Sequence, residues 1–404
     1  MVVTVSSEVL GSAGTGAAGT GAARSGSAGA TGAALLADLG AAERATVREV
    51  LVHEPVPRAE LARLLGLSRA SLTRLTRTLI DGQILEEVGV ELRTRTGRPS
   101  ELLQVRSDAA RVLGVKLTAD TAYVVVTDLA ARVLDAVEEP LADRRPEAVV
   151  AQLAATHASL TARHGSFVAT GVCLAGDVVG EGRARTVLDS AWLGWDEVAL
   201  EAMLTDAIGG VVRTENDVRA LTEYLHWFGP VTGRDSLVLV TVGTGIGVGL
   251  VIEGRQLAGR HGRAGRLDHL VLDPAGPICG LGHRGCVSAY LTSGAITGAV
   301  RADSYDAAVA SARDGDPAAV RAFEDAGRAL GYLLGTLANA VDPEALVVTG
   351  DGLAVVELAG EAVRAELART CRAQPGADVA VHPFDFRDWA RGAAVTAVRH
   401  VLGA

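Results

Sequence analysis

The sequence predicts a small helical module with a β wing, followed by a large two-lobed α/β domain. Three observations predict it. Two short helical patterns joined at Gly66 lead into two strand-like runs that end at Val105. From Val112 onward, apolar β-branched runs are followed by helical patterns, twice over. With 404 residues, 49% of them hydrophobic, the chain is long enough for two or three domains and a large core. The chain divides into a Gly/Ala/Ser-rich tail over 1–40, expected to be disordered, a winged module over 41–106, and the α/β domain over 107–404.

The elements follow in order. Ser12 to Gly32 is almost entirely Gly, Ala, Ser and Thr and has little to bury. Ala41 to Val52 regains helical periodicity through Val47, Val50 and Leu51, and Pro55 and Pro57 mark the loop after it. Arg58 to Leu65 is a second short helix with Leu61, Leu64 and Leu65 on its apolar side. Gly66 permits a sharp turn that a Cβ would resist. Ser68 is a good N-cap for the next helix. That helix, Arg69 to Ile80, turns Leu72, Leu75 and Leu79 inward and carries Arg69, Ser71, Thr73, Arg74 and Arg77 on its other face. Gly82 stops it. Ile84 to Val90 and Glu91 to Val105 are two strands around a turn, with Arg93, Arg95 and Arg98 near the tip.

Ser68, Arg69, Ser71, Thr73, Arg74 and Arg77 are side-chain types that donate to phosphate oxygens and base edges. A short helix polar on one face fits the major groove of DNA. Arg98, between Gly97 and Pro99 on an extended tip, suits the narrow minor groove. Its contribution should be largest on A·T-rich flanks, where the groove potential is most negative. The order of parts points to DNA binding. The alternative is a structural or protein-docking module, because Lys116 is the only lysine and arginine supplies the other cationic side chains. Glu86, Glu87, Glu91 and Glu101 also offset the module's arginines.

Net charge is −10, so any nucleic-acid surface is local. No apolar run reaches the roughly 18 residues of a membrane span. Met1 to Leu10 lacks the basic start and apolar run of a secretory signal. Cys173, Cys279, Cys286 and Cys371 are too few and too scattered for a disulfide framework. Together these point to a cytoplasmic protein with no membrane partner.

In the α/β region, Val112 to Leu117, Ala122 to Asp128 and Arg132 to Ala136 read as a small antiparallel meander. Ala148 to Ala162 is a helix and Phe167 to Leu174 a strand. The pattern then repeats with strand Gly210 to Thr214, helix Val218 to Phe228, and strands Leu237 to Val242 and Gly247 to Ile252. Strand Leu346 to Thr349 and helices Ala354 to Arg369 and Trp389 to Leu402 close the chain. Two α/β lobes with a cleft between them are expected.

Thr241 to Gly249 is glycine-rich and lies between two strands. A dinucleotide fingerprint needs a following helix, and a P-loop ends in Gly-Lys-Ser/Thr, so neither fits. Two readings stay open: a tight hairpin whose glycines supply positive φ, and a hairpin whose amides cradle a phosphate or sugar oxygen.

Three segments together resemble the ROK family of repressors, sugar kinases and uncharacterised reading frames. They are Arg213 to Gly229, which contains Glu215-Asn216-Asp217, the Gly243 to Gly249 loop, and His261 to His269 followed by Cys279-Gly-Leu-Gly-His-Arg-Gly-Cys286. The resemblance spans roughly Val112 to the C-terminus and implies an actin-like, hexokinase-like fold. The winged module, ending Thr96-Gly-Arg-Pro-Ser100, is similar to that of the repressor branch.

Departures from the family pattern bear on function. Family kinases open their first strand with an Asp-x-Gly-x-Thr-like element whose Asp helps hold Mg²⁺-ATP. Lys116 stands in that Asp position and Thr118 in the Gly position. An ammonium cannot ligate Mg²⁺, and a Cβ at Thr118 crowds the phosphate path, so the resemblance implies no useful ATP site here. Gly350-Asp351-Gly352 resembles the adenosine-side turn. Asp217 matches the general base that takes the sugar hydroxyl proton. It is a sugar-binding group, a relic, or part of a helix N-cap with Asn216.

The sugar site of the family has two carboxylates where this chain has Arg266 and Ser288, while His269 is kept. Arginine prefers planar anions, so a ligand held by Asn216, Asp217, Arg266 and His269 is expected to be phosphorylated or acidic, unless the pocket binds nothing. The family's zinc cluster, one His with Cys-x-Cys-x-x-x-x-Cys, is matched by His269, Cys279 and Cys286, with Leu281 at the middle cysteine. A structural zinc wants four ligands. His283 or a water could supply the fourth, or the loop holds no metal.

The expected function is a transcriptional regulator, a repressor, that binds operator DNA as a homodimer or homotetramer and is no enzyme. A sugar or sugar phosphate is its expected effector. A sugar kinase with an added module and a constitutive DNA-binding protein with a dead sensor cleft are the rivals.

Overall fold

In a computed structural model of the chain, the described residues are Leu36, 38–91, 100–371 and 379–403. The wing tip with Arg93, Arg95 and Arg98, and residues 1–35 of the expected tail, lie outside them. The chain divides into two compact units. One runs through Gly233 and takes up the chain again from Phe386; the other is Arg234–Asp385.

The first unit opens with helices α1 (Ala41–His53), α2 (Arg58–Leu64) and α3 (Arg69–Asp81). Strands β1 (Val56–Pro57), β2 (Leu85–Glu91) and β3 (Ser100–Val105) form a sheet ordered β1-β3-β2. β2 and β3 pair antiparallel from Leu85↔Val105 to Glu91↔Ser100 and are the base of the wing. Val47, Val50, Leu61, Leu72, Leu79, Ile84 and Leu103 are buried in this module. Gly66 turns the chain between α2 and α3 at φ +63°, a conformation that glycine adopts without steric penalty.

Two positions depart from the expected faces. Leu64 is exposed and Ala62 buried, because the inner face of α2 runs through Leu61, Ala62 and Leu65. Thr76 is buried within α3, and its hydroxyl donates to the Leu72 carbonyl at 3.0 Å. The module is joined to the rest of its unit by apolar contact. Leu36, Val47 and Leu51 meet Leu129, Val168, Val398 and Leu402 around a small apolar pocket.

The main sheet of this unit contains β4 (Arg111–Leu117), β5 (Thr121–Asp128), β6 (Val133–Pro140), β7 (Ala169–Leu174) and β11 (Val212–Asn216), in the order β11-β7-β4-β5-β6. β4, β5 and β6 are the expected antiparallel meander, and β7 and β11 extend it in parallel. Helices α4 (Pro146–His164), α5 (Leu200–Ile208) and α6 (Asp217–Phe228) connect the strands. A second sheet of β8 (Asp177–Val179), β9 (Thr186–Ser190) and β10 (Trp195–Val198) was not expected. Its strands are too short to show a period.

Unit Arg234–Asp385 repeats the plan. β12 (Leu237–Val242), β13 (Ile246–Ile252) and β14 (Arg255–Gln256) are antiparallel neighbours, and β15 (Ala345–Thr349) and β16 (Val379–Val381) extend β12 in parallel. Short helices α7 (Ser288–Leu291), α8 (Ser293–Val300) and α9 (Tyr305–Arg313) precede α10 (Pro317–Val341), a 25-residue helix absent from the sequence reading. Its start is well marked: Asp316 accepts the Ala318 and Ala319 amides at 3.0 and 2.9 Å, and Pro317 follows. It packs against α11 (Ala354–Thr370). The chain then returns to the first unit as α12 (Phe386–Val401), whose Trp389, Ala390, Ala393 and Ala394 are buried.

Candidate functional site

The expected DNA-facing residues sit together on α3. Arg69, Ser71, Thr73, Arg74 and Arg77 are all exposed, opposite buried Leu72, Thr76 and Leu79. Ser68 caps the helix, its Oγ accepting the Ser71 amide at 3.2 Å. Thr73 donates its hydroxyl to the Arg69 carbonyl at 2.8 Å. Arg58 has a different task. It pairs with Glu87 and, at 3.0 Å, with Glu101, tying α2 to both wing strands. Arg98 lies outside the described residues.

The junction of β11 and α6 carries a second group. Asn216 is the N-cap: its Oδ1 accepts the Arg219 amide at 3.1 Å and its Nδ2 donates to the Gly176 carbonyl at 2.9 Å. Asp217 has both carboxylate oxygens engaged. Oδ1 accepts the Val218 amide at 2.9 Å, and Oδ2 lies 2.5 Å from the Lys116 ammonium. Lys116 is 3% exposed and Asp217 9%. The residue in the expected metal-ligand position thus neutralises the residue in the expected base position. Cys173 pairs in register with Lys116, and burial raises its thiol despite the nearby ammonium.

A buried ionic network braces this junction. Arg185 donates to the Thr214 carbonyl at 2.6 Å and to Glu215 at 2.5 Å. Arg219 lies 3.2 Å from Glu215, and Glu201 accepts the Thr214 amide at 2.8 Å. Glu215 stood in the Glu-Asn-Asp motif, but Arg185 and Glu201 did not stand out in the sequence, because Arg185 meets Thr214 and Glu215 about 30 residues away and Glu201 meets Thr214 13 residues away.

Arg266 and His269 belong to the other unit, Arg234–Asp385. Arg266 is exposed. Ser288 is buried, and its hydroxyl donates to the Asp268 carbonyl at 2.8 Å. His269, Cys279 and Cys286 bring one ligand atom each within 4.8 Å of one another. Burial acts to raise the Cys279 thiol, but amide hydrogen bonds from Leu281 and His283, with the His283 ring, outweigh it and bring the thiol to about 7. Cys286 is pushed up, chiefly by burial. Leu281 is 75% exposed.

The glycine-rich stretch is a β12–β13 hairpin, but not for the expected reason. Gly243, Gly245, Gly247 and Gly249 all avoid positive φ. Gly243 instead leaves room for Asp351: a Cβ there would meet the Asp351 carboxylate, which would have to swing aside. That carboxylate accepts the Thr244 amide, and burial raises its proton affinity. The amide faces the chain's own anion.

A model of the ROK family matches residues 112–398. The xylose repressor of Bacillus subtilis is 22% identical over 342 residues, covering 83% of this chain and 88% of that protein. The crystal structure of a ROK family transcriptional regulator, a homologue of the Escherichia coli MLC protein, is 25% identical with a TM-score of 0.75 and covers 90% of this chain and 96% of its own. A ROK hexokinase from Thermus thermophilus is 28% identical with a TM-score of 0.64 and covers 73% of this chain and 100% of its own. A match over 90% of the chain extends into residues before Val112.

Proposed function

The chain belongs to the ROK family, and from that premise we propose that it is a DNA-binding transcriptional repressor that senses a small sugar-like ligand and transfers no phosphate. The observation that carries this reading is the buried pair of Lys116 and Asp217, 2.5 Å apart. A general base must offer a free lone pair to the proton it removes. Asp217 already accepts from an ammonium and an amide, so a sugar hydroxyl would have to compete with Lys116 for Oδ2. A cation at position 116 also repels Mg²⁺, the ion that neutralises charge developing in phosphoryl transfer.

A coupled assay over common hexoses and amino sugars with Mg²⁺-ATP tests the claim. No turnover above background is expected. Turnover that disappears in Asp217→Asn would reinstate the sugar kinase.

The exposed face of α3 supports operator binding through the major groove. Paired half-sites call for a homodimer or homotetramer acting in the cytoplasm. The contact of α1 with Leu129, Val168 and α12 residues gives the DNA module an apolar seat on the unit that carries Asp217. Arg266, in place of a carboxylate, favours an anionic effector through charge-assisted hydrogen bonds. Thermal-shift titrations with paired neutral sugars and their phosphates should show the phosphates raising the melting temperature more. Stabilisation by neutral sugars alone would contradict this assignment of Arg266.

A further inference from the structure

We propose that α3 reads two guanines and a thymine methyl in each DNA half-site: Arg69 and Arg74 each hold one guanine, and Ala70 with Thr73 meets the methyl. The proposal rests on operator binding through α3 and adds the identity of the bases. Several of the module's arginines are held by carboxylates. Arg48 pairs with Glu49, Arg58 with Glu87 and Glu101, Arg63 with Glu60, and Arg106 with Asp108. Arg69, Arg74 and Arg77 are exposed on α3, and among the described residues their guanidinium groups have no partner. Such a group gives up no internal ion pair on docking. Its planar fork matches the O6 and N7 acceptors of guanine.

The rest of the face lacks the side chains that read the other bases. Adenine is held by Asn or Gln, and cytosine by a carboxylate. Residues 41–106 contain no Asn, Gln83 and Gln104 lie outside α3, and Gln83 already accepts from Arg106. The carboxylate of α3 is Asp81, its last residue, whereas a reading helix meets base edges with its N-terminal part. The hydroxyls there are engaged locally. Thr73 donates to the Arg69 carbonyl at 2.8 Å, and Ser71 Oγ lies 3.0 Å from Ser68 Oγ. Thr73 therefore has no proton to give a base. Its methyl, and that of exposed Ala70 three residues before it, are the apolar groups that suit a thymine methyl. Arg69 and Arg74 are about 7.5 Å apart along the helix axis, roughly two base-pair steps, so each reaches its own base pair.

Selection from a random duplex library with the full-length protein, followed by anisotropy titration of the enriched duplex, tests this. Each half-site should carry two guanines about two steps apart, with a thymine beside them. Exchanging either G·C pair for A·T should weaken binding by about 5- to 150-fold. 7-Deazaguanine, which lacks only the N7 acceptor, should cause part of that loss, and deoxyuridine, which lacks the thymine methyl, a smaller one. Arg69→Ala should become insensitive to 7-deazaguanine at one position and Arg74→Ala at the other, as expected of two separate contacts. Enriched half-sites without the two guanines, or 7-deazaguanine duplexes that bind like the parent, would overturn the proposal and leave operator binding standing. Equal retention of every duplex would reduce α3 to phosphate contacts and overturn it as well. Retention of no duplex would overturn operator binding itself, and the base assignment with it.

Discussion

Lys116→Ala is expected to destabilise the protein by about 3–5 kcal/mol, because it leaves the Asp217 carboxylate buried without a counter-charge. The two side chains are only 4% and 12% exposed, so water cannot readily replace the ammonium. Val218 would still donate to Oδ1, but one amide does not balance a full charge. Removing both charges is a different matter. A Lys116→Met/Asp217→Leu variant keeps the volume apolar and should lie near the wild type, since buried pairs often exchange with hydrophobic residues at little net change. Urea unfolding of the three proteins measures the difference. A loss under about 1 kcal/mol in Lys116→Ala is the size of a solvated surface pair, and it would mean that the family base is not locked.

Arg69→Ala with Arg74→Ala is expected to remove about 1–3 kcal/mol of DNA binding per arginine that reads a base edge. Both side chains are exposed on α3, so melting temperature should stay near the wild type. Loss of stability would point to packing instead of recognition. Fluorescence-anisotropy titration on the upstream DNA of its own gene reads the effect. An arginine that touches only phosphate should weaken binding on every duplex alike and lower the salt slope by about 1. Unchanged affinity in the double variant removes α3 as the reading helix.

Local signals made the DNA module legible. Ser68 as cap, Gly66 at the turn and the spacing of Leu72, Leu75 and Leu79 are all read within a few residues. The alternation of strands and helices carried the α/β class for the same reason. Helix α10 was legible too and went unread: Asp316 and Pro317 mark its start, and its buried Leu330, Leu333, Leu334 and Leu337 stand at helical spacing.

The candidate site was half legible. Lys116 stood out as a lysine in a metal-ligand position, but its partner lies 101 residues away. No spacing rule connects them; the parallel pairing of β4, β7 and β11 does. Gly243 shows the same limit. Its turn was visible, but the Asp351 carboxylate packed against it is brought near only by the fold.

The most direct test of the regulator assignment is the affinity of the wild-type chain for its own upstream DNA against a scrambled duplex of equal length, at physiological salt. A sequence-reading repressor should prefer the upstream DNA by about a thousandfold or more. Equal affinity for both duplexes, or no binding to either, would contradict the account.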